Sequence, residues 1–350
     1  DESNVSRLHD CIKPGSEGYT YHVALYVAGI GTREGDSDVL LDMGFGRYGR
    51  GTGVTDKVEK GIRNAVSAVM EVLPSNQVTH IDRLTLDTCG FSRGAAAARY
   101  CLYRAFNDEE GGWFGSDWYG LPTALERLGF PVGYFDIKAV ALFDTVSSYG
   151  FNHNDDVAEL KLDAIRAAES VFHLAAGNEY RENFALTNID SAGGNGQEVF
   201  LPGAHSDIGG GYVDDGKESN EIKEGEATPD IAKFLVHGGW YTAREAMYTA
   251  LEHVESEGKT RKVGRKAWLR RAGISNRYSF IPLRLMADFM VKKGLQLNEK
   301  LDSKFKTPPA LEELHGQLQA KVASRETSDI GEWAGNDETG RGLRRRYLHV

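Results

Sequence analysis

The chain has 350 residues, enough for one large domain or two ordinary ones. With 41% hydrophobic and 26% charged residues it can bury a sizeable core, so disorder is set aside. A formal charge of −10 disfavours nucleic acid, whose binding rests on neutralised phosphates. No apolar run is long enough for a membrane span, and Asp1-Glu2-Ser3-Asn4 does not open a signal peptide; neither is expected. The 41 glycines stand well above the roughly 7% average, so tight loops around a site are expected. Cys11, Cys89 and Cys101 have no metal-type spacing, and their odd number gives no disulfide framework.

In chain order, the apolar run Tyr21–Ala28 reads as a strand stopped by the glycine loop Gly29-Ile30-Gly31-Thr32. Residues 33–54 read as irregular. Thr55-Asp56 then caps a helix carrying Val58, Ile62, Val66, Val69 and Leu73 at helical spacing. Leu84–Cys89 predicts a strand, and the alanine-rich stretch 93–102 a helix. Residues 107–121 are loop-like yet aromatic, with Trp113, Phe114, Trp118 and Tyr119. Two readings of them stand open: a lid or membrane-docking segment, or aromatic packing over the core.

Ile137–Phe143 is almost unbroken in its apolar character, as a strand buried on both faces would be. A helix around 156–170, strands near 171–175 and 198–201, and an acidic connection over 213–230 follow. The remainder, about 231–350, reads as mostly helical. Strands alternating with helices predict an α/β fold with a mainly parallel sheet. One domain is expected over 1–350, with a catalytic core at about 20–215.

Gly90-Phe91-Ser92-Arg93-Gly94 is a G-x-S-x-G pentapeptide. Glycine content alone predicts roughly 0.3 chance matches, so context has to decide. A strand precedes it and a helix follows, the order that a nucleophile elbow needs. Glycines two positions either side of Ser92 are expected to relieve clashes in the strained turn. Arg93 N–H at the helix start, with Gly29, Ile30 and Gly31 as the second donor loop, makes the expected oxyanion hole.

A serine nucleophile needs a base, and the base an orienting carboxylate. Asp144 ends the strand KAVALF, at the ligand-binding edge of a parallel sheet. Of the seven histidines after it, His205 suits the base best, since it lies where a strand end runs into a four-glycine loop, PGAHSDIGGGY. His173, inside VFHLAA, reads as a core or supporting histidine. His237, His253, His315 and His349 read as ordinary surface or packing residues, and Asp207 as a loop-stabilising acceptor.

Two further patterns are set aside. Gly44-Phe45-Gly46-Arg47-Tyr48-Gly49 matches G-x-G-x-x-G without a helix opening on it, which leaves a nucleotide binder as the least favoured reading. His237-Gly238-Gly239-Trp240 imitates a lipase loop but follows the histidine, so a turn is expected. The basic stretch 259–271 reads as a solvated helix face with room for an acidic contact. No metal or cofactor is expected.

GFSRGA (90–95), FDTV (143–146) and PGAHSDIGGGY (202–212) together resemble the type VI secretion lipase effectors of the G-x-S-x-G class. The loop AGIGT (28–32), FHLAAGNEYRENF (172–184), IPLRLM (281–286) and RRRYLHV (344–350) are similar to that family as well. Gly177-Asn178 departs from it, standing where an apolar residue and Asp are usual.

The resemblance implies an α/β-hydrolase fold with helical additions and phospholipase A activity on membrane glycerophospholipids. By motif position Ser92 is nucleophile, Asp144 acid and His205 base. It also implies synthesis in a bacterial cytoplasm, secretion on a spike protein, action in the target periplasm, and a cognate immunity protein. An esterase for small soluble esters, using the same triad, is the alternative.

Overall fold

A computed structural model describes residues 2–29, 54–110, 117–147, 160–179, 184–225, 231–254, 260–325 and 338–350. In chain order its strands are β1 (Ile12–Ser16), β2 (Ile81–Phe91), β3 (Val132–Phe143), β4 (Val171–Ala176), β5 (Gly196–Leu201), β6 (Gly216–Gly225), β7 (Ala246–Val254), β8 (Thr260–Ile274) and β9 (Leu295–Leu297). The helices are α1 (Asn4–Cys11), α2 (Val54–Ser75), α3 (Arg93–Phe106), α4 (Leu121–Arg127), α5 (His205–Gly209), α6 (Ile231–His237), α7 (Phe280–Lys292), α8 (Lys300–Ser303), α9 (Glu312–Ser324) and α10 (Glu338–Tyr347).

The central sheet has the order β2-β3-β4-β5, parallel throughout. β3 explains its own apolar run. Ala139, Ala141 and Phe143 pack into one core with α1 and α7, while Val140 and Leu142 pack with Leu102 of α3 on the opposite face. Side chains alternate along a strand, so only a strand covered on both faces buries every position. A bulge lies between β2 and β3 near Leu86. Asp87 repairs it by accepting the Ala139 N–H at 2.8 Å.

The predicted helix after Thr55 forms as α2, and Val58 and Ile62 are buried against Leu121 and Leu125 of α4. Strands at 84–89, 137–143, 171–175 and 198–201 form as expected. Leu162–Ala167 is 3-10 helix, and the rest of the expected helix around 156–170 includes residues outside those described.

Three expectations change. Tyr21–Ala28 adopts no regular strand, and Leu25 and Tyr26 are both 44% exposed. An apolar run predicts a capacity to pair, but the strand exists only where a neighbouring edge takes up its backbone groups. Second, part of the acidic connection is strand β6. Third, β7 and β8 lie in the stretch expected to be mostly helical, and they join β6 in an antiparallel sheet of order β6-β8-β7. The basic stretch is therefore central strand β8, not a helix face. Its Arg271 is buried, paired with Glu218 at 2.6 Å. Among the described residues no helix is long and apolar enough to cross a membrane.

Candidate active site

The C-terminal ends of β2, β3 and β5 lead into Ser92, Asp144 and His205. Phe91 is in register with Phe143, and Phe143 with Leu174. The ladder runs one step further: Ser92 N–H donates to Phe143 O at 3.0 Å, and Asp144 N–H to Leu174 O at 2.7 Å. Ser92 and Asp144 therefore stand on neighbouring strand ends, where parallel backbones lie about 4.8 Å apart.

Ser92 has φ 59° and ψ −129°, a conformation L-residues avoid, at the N-cap of α3. Such backbone costs about 1–3 kcal/mol and persists only where its surroundings enforce it. Gly90 is part of that enforcement. A Cβ there would lie 2.3 Å from Gly94 O and 2.6 Å from Ala95 Cα, backbone that cannot yield. At Gly94 an added Cβ meets nothing within 4 Å. Relief of a clash, expected of both glycines, is seen at Gly90; at Gly94 none is seen among the described residues. Ser92 makes no capping bond with its side chain and is half-buried, so its hydroxyl is not committed to the helix.

Asp144 is 3% exposed and also has positive φ, 38°. Its Oδ1 accepts Ala176 N–H at 2.8 Å, and its Oδ2 lies 2.6 Å from His205 Nδ1. An ionised carboxylate can only accept, so Nδ1 carries the proton and Nε2 has its lone pair free for an incoming proton. The His205 ring lies 4.5 Å from that of Phe91, the residue immediately before Ser92. Phe184 meets it edge-on at 4.9 Å. Gly209 makes room for this stack, since a Cβ there would reach within 2.0 Å of the Phe91 ring.

Several supporting residues escape a reading of local motifs. Asn178 clamps Gly203 twice: its N–H donates to Gly203 O at 3.0 Å, and its Oδ1 accepts Gly203 N–H at 2.9 Å. Glu179 Oε2 accepts His205 N–H at 3.2 Å. His173, fully buried, supports the acid from behind. Thr145 N–H donates to its Nε2 at 3.0 Å, so Nδ1 carries the proton and donates to Glu198 at 2.7 Å. This agrees with the supporting role read for His173.

The described residues among the remaining candidates sort as follows. Asp207 is the loop-stabilising acceptor expected, holding Ala204 N–H at 2.9 Å. His349 departs from the surface reading: it is 4% exposed and bonded to Asp207. His237-Gly238-Gly239-Trp240 is the turn expected, closing α6 with Gly239 at φ 76°. Trp118 is buried, its Nε1 donating to Arg104 O at 3.0 Å, which fits aromatic packing. Burial pushes the thiols of Cys89 and Cys101 up, away from nucleophilic thiolate. Arg93 N–H opens α3 beside Ser92, and Gly29 is described without regular structure. Ile30, Gly31, Trp113, Phe114, His153 and the pattern 44–49 lie outside the described residues.

Residues 127–232 match the family model "T6SS, Phospholipase effector Tle1-like, catalytic domain". That segment contains Asp144 and His205, while Ser92 lies upstream of it. A solved structure titled "Structure of the Tle1 effector bound to the VgrG spike from the Type 6 secretion system" is similar at TM-score 0.62 and 22% identity, covering 95% of this chain and 72% of that one. A second, an uncharacterized protein from Pseudomonas aeruginosa, is similar at TM-score 0.38 and 21% identity over 80% of this chain and 34% of that one. No curated protein matches. The fold is thus of the α/β-hydrolase type, and the resemblance to type VI secretion lipase effectors read from the motifs is borne out by a Tle1-like catalytic segment at 127–232.

Proposed function

We propose that this protein is a phospholipase A that releases fatty acids from bacterial membrane glycerophospholipids through an acyl-enzyme on Ser92. The observation that carries the reading is the buried 2.6 Å bond between His205 and Asp144, set beside the strained Ser92 turn. The Tle1-like segment supports the lipid ester as substrate class.

Ser92 Oγ attacks the ester carbonyl while His205 Nε2 takes its proton. Asp144 holds the resulting imidazolium. Arg93 N–H, with the Gly29–Gly31 loop as second donor, takes the oxyanion. Such a donor is worth roughly 3 kcal/mol in hydrolases of this kind. Collapse breaks the ester C–O bond, and the lysophospholipid alkoxide leaves with the proton from His205. Water, deprotonated by His205, then attacks the acyl group and frees the fatty acid and Ser92.

This activity serves antibacterial warfare. The spike-bound state of the structural relative supports a type VI spike protein as carrier. The protein is made in the producer's cytoplasm, acts in the target's periplasm, and is countered by an immunity protein.

The test is release of fatty acid from phosphatidylethanolamine and phosphatidylglycerol vesicles. Ser92→Ala is expected to lower kcat at least about a thousandfold. Retained activity in that variant would reject the acyl-enzyme. Hydrolysis of short p-nitrophenyl esters with none of vesicles would select the soluble-ester alternative.

A further inference from the structure

We propose that His349 is a positioning residue for His205, acting through Asp207; this rests on the reading of His205 as general base. Asp207 lies two residues after His205 on α5 and is 1% exposed. Its Oδ2 accepts two backbone N–H groups, Ala204 at 2.9 Å and His349 at 2.7 Å. Its Oδ1 lies 2.8 Å from His349 Nδ1, which must be the donor to an ionised carboxylate. One carboxylate thus ties the residue before His205 to both the backbone and the side chain of a residue far along the chain.

The tether matters because α5 cannot hold itself. It is five residues long, too short for helix propensity to fix its orientation. Asp144 holds the His205 ring, while the backbone is gripped at three successive residues: Asn178 holds Gly203, Asp207 holds Ala204, and Glu179 accepts the His205 N–H itself. The first grip comes from the end of β4. The second reaches out of the parallel sheet altogether.

The far end of that second grip is firmly held. Arg271 Nη2 donates to Leu348 O at 2.6 Å, and Glu218 Oε1 accepts Val350 N–H at 2.8 Å. Glu218 in turn pairs with Arg271. Tyr212 stacks on the His349 ring with centroids 3.7 Å apart. The antiparallel sheet β6-β8-β7 therefore fixes His349, His349 fixes Asp207, and Asp207 fixes the start of the His205 helix. A packing residue at this position would need neither of its two N–H donors on the same buried carboxylate.

The experiment compares His349→Leu, His349→Ala and His349→Asn with wild type, using the full chain. All three keep the backbone N–H of residue 349; leucine fills volume without a side-chain donor, alanine supplies neither, and asparagine retains a side-chain N–H donor for Asp207. Fatty acid release from phosphatidylglycerol vesicles gives kcat and KM. The rate of Ser92 labelling by a fluorophosphonate and the thermal midpoint are read in parallel.

The expected result is a fall in kcat of up to about 10²-fold in the Leu and Ala variants, as for a misplaced catalytic group. KM should stay within about twofold, labelling should slow with kcat, and His349→Asn should recover most of the rate. Wild-type kcat in His349→Leu overturns the proposal. So does an Asn variant as slow as Leu, or a failure of both donor-free variants to fold, since the pair would then serve stability alone. Ser92→Ala separates the two levels. If it stays active, the acyl-enzyme reading fails. If it is dead while His349→Leu is unimpaired, only the positioning role fails.

Discussion

Two buried histidine–aspartate pairs lie two residues apart on α5, and their chemistry differs because their neighbours differ. His205–Asp144 spans 2.6 Å and His349–Asp207 spans 2.8 Å. Asp144 spends one oxygen on Ala176 N–H and the other on His205, whose ring rests on Phe91 beside the Ser92 turn. Asp207 divides its oxygens between the backbone of Ala204 and His349, and the His349 ring is covered by Tyr212. The same two side chains thus make a reactive pair beside a strained serine and a brace beside an aromatic ring. Burial and a short hydrogen bond alone do not distinguish them.

The largest expected effect breaks the pairs in turn. Asp144→Asn should lower kcat by about 10⁴, as loss of an orienting acid does in serine hydrolases. Asp207→Asn should lower kcat less, by up to about 10²-fold, because it acts only through the placement of His205, and it should also cost stability. Its new amide opposes the donors of Ala204 and His349 and leaves buried N–H groups unmet, at a cost of about 1–3 kcal/mol. Steady-state vesicle hydrolysis and calorimetry on both variants check this. Equal effects on rate and stability would erase the distinction.

A second contrast concerns the glycines flanking Ser92. Gly90→Ala drives a Cβ into the backbone of Gly94 and Ala95, so the elbow should open and labelling of Ser92 by a fluorophosphonate should be lost. Gly94→Ala meets no neighbour among the described residues outside its own helix backbone, and alanine is favoured over glycine in a helix by about 0.5–1 kcal/mol. Its labelling rate should be close to wild type. A dead Gly94→Ala variant would show that Gly94 does more than leave space.

The smallest effect uses a third histidine that lacks a bonded carboxylate. His315 Nδ1 meets Thr307 Oγ1 at 3.0 Å, and its Nε2 is buried with no hydrogen-bond partner among the described residues. Burial, then the charge of Arg284, lowers its pKa. The unfolded chain, with an ordinary histidine near 6.5, binds the proton first as pH falls. Stability should therefore decline as pH drops through about 6.5 and level off below the folded pKa. Thermal midpoints at several pH values, with His315→Asn as control, read the slope; an unchanged slope in the control assigns it elsewhere.

Legibility followed the range of the interactions. GFSRG, FDTV and AHSDIGGG were readable because an elbow, a strand end and a glycine loop are built from consecutive residues. His349 reads as an ordinary surface or packing residue, since its partner is 142 positions away and nothing in RRRYLHV announces it. KTRKVGRKAWLRR (259–271), which reads as a basic helix face, lies in strand β8 from Thr260 on because β6 and β7 pair with it on both sides. Tyr21–Ala28 errs in the opposite direction: it has strand composition and no ladder.

The sequence by itself determined the alternation of strands and helices, the buried character of β3, the elbow around Ser92, and the choice of Asp144 and His205 as the candidates to serve it. Each depends on side-chain periodicity or on a turn of a few residues, which local composition encodes. Only the tertiary structure decided that Gly90 faces the backbone of Gly94 and Ala95, that His173 and Glu198 stand behind Asp144, and that His349 bonds Asp207 on the helix of His205. Those facts depend on which distant atoms meet an oxygen or a ring, and that is settled when the sheets and helices close around them.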